Sequence, residues 1–260
     1  MKIALTQMNI FWEDPARNRE VCRRLTKNAK EQGCDWIVFP ELTLTGFTMR
    51  PEEFGEAIYE DDAPTCQFFR SLSMQYSISI AYGAIASDNG RYYNQLILLE
   101  PAETLMMYSK LHPFSYGEEA RHYTGGDQIA VCRQADILLS GFICYDLRFP
   151  EIFQIASKDA VIIFVIANWP EERISHWYSL LQARAIENQC FIVGVNRTGQ
   201  GGGLYYPPSS VAFNPYGERI TTESNEELLY ADINPALAEQ YRRAFPVKSD
   251  RRSGFYRDFI

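Results

Sequence analysis

Eight consecutive apolar residues, Ala160–Ala167 (AVIIFVIA), set the strongest constraint on what this chain can fold into. The run falls far short of the roughly 20 residues that a membrane-spanning helix needs. It shows no polar alternation, so neither of its faces can look at water. Such a segment reads as a strand buried on both sides, inside a sheet that other layers must cover.

The rest of the chain supplies those layers by switching between two periods. Lys2–Asn9 alternates as a strand, with Ile3, Leu5 and Gln7 on one face and Ala4, Thr6 and Met8 on the other. Asp14-Pro15 opens a helix, with an acceptor at the cap and proline in the first turn. Val21, Leu25 and Ala29 form its apolar stripe, and Gly33 ends it. Asp35–Pro40 (DWIVFP) is a short buried strand. This β-α-β unit implies parallel pairing through a right-handed crossover. Asp62–Tyr76 predicts a helix with Phe68, Phe69, Leu72 and Tyr76 inward. Ser77–Ala86 and Tyr92–Glu100 read as strands separated by the Asp88-Asn89-Gly90 hairpin turn. Strands follow at Thr104–Ser109 and Ile137–Ile143, with a mostly looped Lys110–Gly126 between them. Pro150–Ser157 and Arg173–Asn188 predict helices. Cys190–Asn196, Ser210–Asn214 and Leu228–Asp232 are further strands, and Asn234-Pro235 caps a last helix to about Ala244. No linker or short-period repeat interrupts the pattern. The expectation is one α/β domain over residues 1–260, with a mixed sheet system.

Charge and cysteine usage narrow the function. Twenty-five basic residues against 33 acidic ones leave a net charge of −8, without the electrostatic footprint of a nucleic-acid binder. The six cysteines, at 22, 34, 66, 132, 144 and 190, contain no C-x-x-C pair, and the three histidines are scattered, so no zinc site is expected. A disulfide framework suits short secreted chains better than one of 260 residues. Met1–Asn9 turns polar too soon for a secretory signal. Reduced thiols in a cytoplasmic protein are therefore expected. There is no Walker A loop and no G-x-G-x-x-G, and Gly201-Gly202-Gly203 reads as a flexible loop and not as a phosphate cradle.

Chemistry concentrates at three strand ends, where open α/β sheets place their sites. Glu41 follows the DWIVFP strand, Lys110 follows Thr104–Ser109, and Cys144 follows Ile137–Ile143 at a strand-to-helix turn. Each has an ordinary reading: Glu41 as a turn cap, Lys110 as a solvated lysine, Cys144 as an inert buried thiol. Together they supply a base, an oxyanion stabiliser and a nucleophile. Arg148, four residues past Cys144, could hold a substrate carboxylate as a bidentate fork or pair with Asp146 or Glu151. Asn168 and Trp169 end the Ala160–Ala167 strand and could line the pocket. His176 reads as a packing residue. A Cys144–His112 dyad ranks below Glu41, since no acidic partner for His112 is suggested by its context.

The three segments, with P-E, K-x-H and C-Y-D-x-R-F-P around Glu41, Lys110 and Cys144, resemble the signatures of the nitrilase, or carbon–nitrogen hydrolase, superfamily. The resemblance covers nearly the whole chain. Ala167-Asn168-Trp169-Pro170, Ser175-His176-Trp177 and Ala183–Gln189 (ARAIENQ) resemble its omega-amidase branch. The resemblance implies a four-layer α-β-β-α sandwich and a Glu41-Lys110-Cys144 triad. It further implies a second carboxylate at Glu119, with Glu118 as the alternative because Glu119-Ala120 departs from the family's E-H. No metal or organic cofactor is implied. The expected activity is hydrolysis of the terminal amide of a small dicarboxylate monoamide, 2-oxoglutaramate or 2-oxosuccinamate, to the dicarboxylate and ammonia. Cys144 would form a thioester, with the Tyr145 backbone N–H and Lys110 on the oxyanion. The alternatives are an N-carbamoyl amino acid amidohydrolase and a catalytically silent binding protein on the same fold. A small-molecule amide is the expected partner, without nucleic acid or membrane. A homodimer is also expected, with residues 241–260, among them Lys248, Arg251, Arg252, Phe255 and Tyr256, as a tail across the subunit contact.

Overall fold

The opening β-α-β unit forms as its periodicity dictates. Strand β1 (Lys2–Thr6) leads into helix α1 (Pro15–Glu31), where the Asp14 carboxylate accepts from the Arg17 N–H and Pro15 fills the first helical position. Gly33, at φ +72°, turns the chain out of the helix towards β2 (Trp36–Val38). The computed structural model describes residues 1–57, 63–223 and 226–257. The chain continues through α2 (Pro51–Phe54) and α3 (Pro64–Tyr76). The expected start of this third helix at Asp62 lies outside the described residues. β3 (Ser79–Asp88) and β4 (Arg91–Leu99) form a hairpin. Asn89 and Gly90 at its tip have φ of +47° and +75°, the two positive values that a tight two-residue turn demands.

β5 (Thr104–Ser109), α4 (Glu119–His122), β6 (Val131–Gln134) and β7 (Ile137–Ile143) follow. Next come α5 (Pro150–Ala156), β8 (Ile162–Ala167), α6 (Ile174–Asn188) and β9 (Phe191–Asn196). The chain closes with β10 (Gly199–Gly201), β11 (Leu204–Tyr206), β12 (Val211–Phe213), β13 (Thr221–Glu223), β14 (Leu228–Asp232), α7 (Ala236–Ala244) and α8 (Ser253–Arg257).

The strands make two large sheets. One runs β13-β14-β1-β2-β3-β4-β5, with β1, β2 and β3 parallel. The other runs β12-β9-β8-β7-β6, with β7, β8 and β9 parallel. The period of two assigns their faces. Ile3, Leu5, Trp36, Val38, Leu96 and Leu98 share one apolar cluster with Leu139, Phe142 and Phe164 of the second sheet. Their sequence neighbours Ala4, Ile37 and Ile97 join a different cluster, with Cys22, Leu25 and Ala29 of α1 and Phe69 and Leu72 of α3. Phe153 of α5 and Trp177, Leu181 and Ala185 of α6 cover the far side of the second sheet. The result is a four-layer α-β-β-α sandwich. Every residue of β8 is buried, as its unbroken apolar run requires.

Several details depart from the sequence-based expectation, among them the short helices α2 and α8, which it did not include. The looped Lys110–Gly126 stretch contains the single turn of α4. Two short edge strands, β6 and β13, carry too few residues to show a period. Gly201-Gly202-Gly203 belongs to an ordered hairpin, β10–β11, with Gly201 paired to Leu204 and Gly202-Gly203 as its turn, and is not a loose loop. The fully buried Arg197 donates from Nη2 to Gln200 O (2.7 Å) and Ile10 O (2.8 Å), tying the hairpin to the chain's first loop. Among the described residues, no helix is long and apolar enough to cross a membrane. The last three residues of the 241–260 tail lie outside the described residues.

Candidate active site

Glu41, Lys110 and Cys144 each leave the end of a parallel or neighbouring strand at the same edge of the two sheets. Glu41 begins the turn after β2. Gly83 of β3 is what lets this turn lie flat on the sheet. A Cβ at Gly83 would stand 2.3 Å from Leu42 N and 2.9 Å from Glu41 Cα. Thr43 N donates to Gly83 O (3.1 Å), and Gly83 N donates to Thr43 Oγ1 (3.0 Å). Lys110 follows β5, and its backbone N–H on Asn94 O (2.8 Å) sets it beside β4.

Cys144 sits at φ +48°, a left-handed conformation uncommon outside glycine, and opens the 3-10 turn Cys144–Arg148. The fully buried Asp146 holds that turn. Its Oδ2 accepts from Ile143 N (3.1 Å) and the Tyr108 hydroxyl (2.8 Å). Its Oδ1 accepts from His112 N (3.0 Å) and lies 2.8 Å from His112 Nδ1. His112 therefore does have an acidic partner, contrary to expectation, and its ring stacks on Phe149 at 3.8 Å. The topology brings Asp146 to His112 from 34 residues away, which local sequence context does not show.

The carboxylates and the ammonium form one buried network. Lys110 Nζ donates to Glu41 Oε1 (3.0 Å) and to both Glu119 oxygens (2.9 and 2.8 Å). Asn94 Nδ2 bridges Glu41 Oε1 (2.7 Å) and Glu119 Oε1 (3.0 Å). The Asn168 N–H donates to Glu41 Oε2 (2.8 Å), and its Nδ2 to the Glu41 carbonyl (2.8 Å). Phe114 N donates to Glu119 Oε2 (2.6 Å). The Cys144 thiol points to Asn168 O at 3.9 Å, so Asn168 links thiol and carboxylate. Of the two candidate second carboxylates, the structure puts Glu119 on Lys110; Glu118 is exposed and pairs with Arg121. Asn94 is a member that sequence reasoning missed. It stands mid-strand, where an amide has no local signature.

Two negative groups and one positive group make this network net negative, and that governs the thiol. Burial and the Glu41 charge push the Cys144 pKa well above the ordinary cysteine value, against the pull of Lys110. These influences favour the neutral thiol, so a nearby base must take its proton as it reacts. Burial works against the Lys110 charge, but Glu119 and Glu41 overcome it and hold the lysine protonated. Burial also raises Glu119, opposed by Lys110.

Cys144 opens into a cleft whose walls include Phe47, Phe114, Tyr145, Trp169 and Tyr206. Tyr145 packs edge-on against Phe114 and Phe149. Two arginines line the same cleft. Arg148 pairs with neither Asp146 nor Glu151; its guanidinium lies 5.0 Å from the Trp169 ring centroid and its Nη2 is 3.3 Å from His176 Nδ1. His176 is exposed and is not a packing residue. Among the described residues, Arg173, which sequence reasoning overlooked, has only the largely exposed Glu172 as an ion-pair partner, at 3.5 Å. Its carbonyl accepts from Trp169 Nε1 (2.7 Å). Its position three residues past Asn168-Trp169-Pro170, at the end of a buried strand, was the available signal. Among the described residues, no group of three or more His, Cys, Asp or Glu side chains could hold a metal ion.

All six cysteines are free. Burial raises Cys34 and Cys132 to about 11 and Cys190 to about 12, so these thiols are poor nucleophiles.

Comparison with known proteins agrees with this geometry. Residues 2–243 match the model of the carbon-nitrogen hydrolase family. The chain is 33% identical to the omega-amidase YafV of Escherichia coli K12, over 96% of each chain. It is 29% identical to the 2-oxoglutaramate amidase of Bacillus subtilis 168, over 98% of each. Among solved structures, XC1258 of Xanthomonas campestris, a CN-hydrolase superfamily protein with an arsenic adduct in its active site, superposes with a TM-score of 0.88. It is 28% identical, with 96% of this chain and 97% of that one covered.

Proposed function

Because the chain belongs to the carbon–nitrogen hydrolase family, we propose that it is an omega-amidase. It cleaves the terminal amide of 2-oxoglutaramate or 2-oxosuccinamate to the dicarboxylate and ammonia. The observation that carries this reading is the make-up of the cleft: a thiol and a base at one place, with two arginines that, among the described residues, no buried carboxylate neutralises. An acyl chain ending in a carboxylate meets both needs, since a guanidinium holds a carboxylate through paired charge-assisted bonds.

The chemistry follows from the charge balance. Glu41 takes the Cys144 proton as sulfur bonds to the amide carbon, and the carbonyl electron pair moves onto oxygen. Moving the proton inside the site leaves its net charge unchanged, whereas losing it to water would add a third negative group. Lys110 and the Tyr145 backbone N–H hold the oxyanion; one such donor is worth about 2.7–4 kcal/mol. The oxyanion collapses, the C–N bond breaks, and Glu41 gives its proton to the departing ammonia. Water then attacks the thioester, Glu41 takes the water's proton, and the Cys144 thiol is restored. Glu119 orients Lys110, and Asn168 and Trp169 shape the wall.

The proposal extends to one domain over 1–260, a cytoplasmic location and a homodimer. The six free thiols suit a reducing compartment. Tyr241 and Phe245 of the tail and Tyr216 form a row of ring contacts, with Tyr216 and Phe245 about half exposed. Lys248 is engaged within its own chain, on Ser157 O, and so contributes little across a subunit contact. A monomer in light scattering at micromolar concentration argues against the dimer.

The test is ammonia release from 2-oxoglutaramate, glutamine and N-carbamoyl-β-alanine, with Cys144→Ala as control. Fastest turnover is expected on 2-oxoglutaramate and none in the variant. Preference for the carbamoyl compound, or an active Cys144→Ala protein, overturns the assignment.

A further inference from the structure

Tyr206 ends β11 and faces the cleft that Cys144 opens into. It is 2% exposed, and the Arg197 guanidinium lies 4.7 Å from its ring centroid. Arg197 is itself anchored to backbone oxygens, from Nε to Thr198 O (3.1 Å) and from Nη2 to Ile10 O and Gln200 O. The ring therefore rests on a fixed support.

A buried tyrosine hydroxyl ordinarily has a hydrogen-bond partner. The Tyr108 hydroxyl donates a hydrogen bond to Asp146 Oδ2 (2.8 Å), and the Tyr123 hydroxyl to Thr48 O (2.9 Å). Among the described residues, the Tyr206 hydroxyl has no such partner. It is also not sealed off, unlike Asn168 Oδ1 or Arg197 Nη1. The open space it borders is the cleft. Burial pushes its pKa to about 12 against the pull of Arg197, so it stays protonated and can donate.

The other polar groups of the cleft are already matched on the omega-amidase reading, on which this step rests. Cys144 and its network take the amide, and the arginines take the carboxylate. The remaining acceptor on a 2-oxo acid amide is the 2-oxo oxygen. We propose that the Tyr206 hydroxyl donates a hydrogen bond to that oxygen, and that it selects 2-oxo acid amides over their unsubstituted counterparts.

Tyr206→Phe tests this, because it removes one unpartnered oxygen and keeps the ring on Arg197. The readout is kcat/KM on 2-oxoglutaramate and on glutaramate, which lacks the oxo group. The preference for the oxo compound is expected to fall about five- to tenfold, with glutaramate turnover within about twofold of wild type. Competitive inhibition by 2-oxoglutarate should weaken by the same factor, and inhibition by glutarate should not change. Equal effects on both substrates, or none, overturn the role of Tyr206 while leaving the omega-amidase reading in place. A wild-type protein inert on both amides overturns that reading and this inference with it.

Discussion

Gly83→Ala should disable the enzyme from a position that contacts no substrate. The added methyl would lie 2.3 Å from Leu42 N, where ordinary contact begins at 3.4 Å. Both neighbours are backbone, so no side chain can swing aside. The Glu41–Gly46 turn must lift from β3 by about 1 Å, a displacement of the size that costs about 10²-fold in rate when a catalytic group is moved. Glu41 cannot simply follow, because Asn168 and Lys110 hold both its oxygens from other elements. Overpacking of this kind costs about 1–3 kcal/mol. That lowers the melting midpoint by about 2–4 °C per kcal/mol for a chain of this size. The expected result is a folded protein whose kcat for ammonia release falls about 100-fold, with KM little changed because the arginines stay in place. Thermal melting by circular dichroism and steady-state kinetics well below the midpoint measure both terms. A folded variant with kcat within about threefold of wild type refutes the role assigned to this contact.

Lys110→Met leaves Glu41 and Glu119 buried together without a counter-charge. It should cost about 3–5 kcal/mol of stability and abolish turnover; a denaturation midpoint equal to wild type contradicts the network. Arg148→Ala and Arg173→Ala should each raise KM for 2-oxoglutaramate about 10- to 100-fold, as loss of a charged hydrogen bond of about 1.5–3 kcal/mol implies. Butyramide, which has no carboxylate, should be hydrolysed as by wild type, and an equal loss on both amides argues against carboxylate recognition. Because its raised pKa keeps Cys144 protonated, the ultraviolet thiolate difference between wild type and Cys144→Ala should be absent at neutral pH. It should appear only above the ordinary cysteine range, and a signal at pH 7 would show that Lys110 outweighs burial.

The chain's repeating patterns settled its layers before any contact was known. A run with no polar alternation, Ala160–Ala167, has to be covered on both sides, and β8 is. The alternation of Ile3 and Leu5 against Ala4 assigns one face of β1 to the second sheet and the other to helices. These outcomes depend on local period and on solvent exclusion, which a sequence carries directly. The strand-end positions of Glu41, Lys110 and Cys144 were legible for the same reason.

Partnerships were not legible, because they join residues far apart in the chain. Glu118 and Glu119 are adjacent and chemically identical, and only the single turn of α4 decides which one is buried on Lys110. Arg148 had two plausible carboxylate partners in the sequence, Asp146 and Glu151, and took neither, since its turn aims it at Trp169 and the cleft. Asn94 and Tyr206 carry no local signature, and Arg173 only its place just past a buried strand; they matter because β4, the 171–173 turn and the β10–β11 hairpin converge on one thiol. The protonation of that thiol is likewise a tertiary property. It is set by how much water the sandwich excludes and by which charges it brings near the sulfur, and no sequence interval between 41, 110 and 144 contains either quantity.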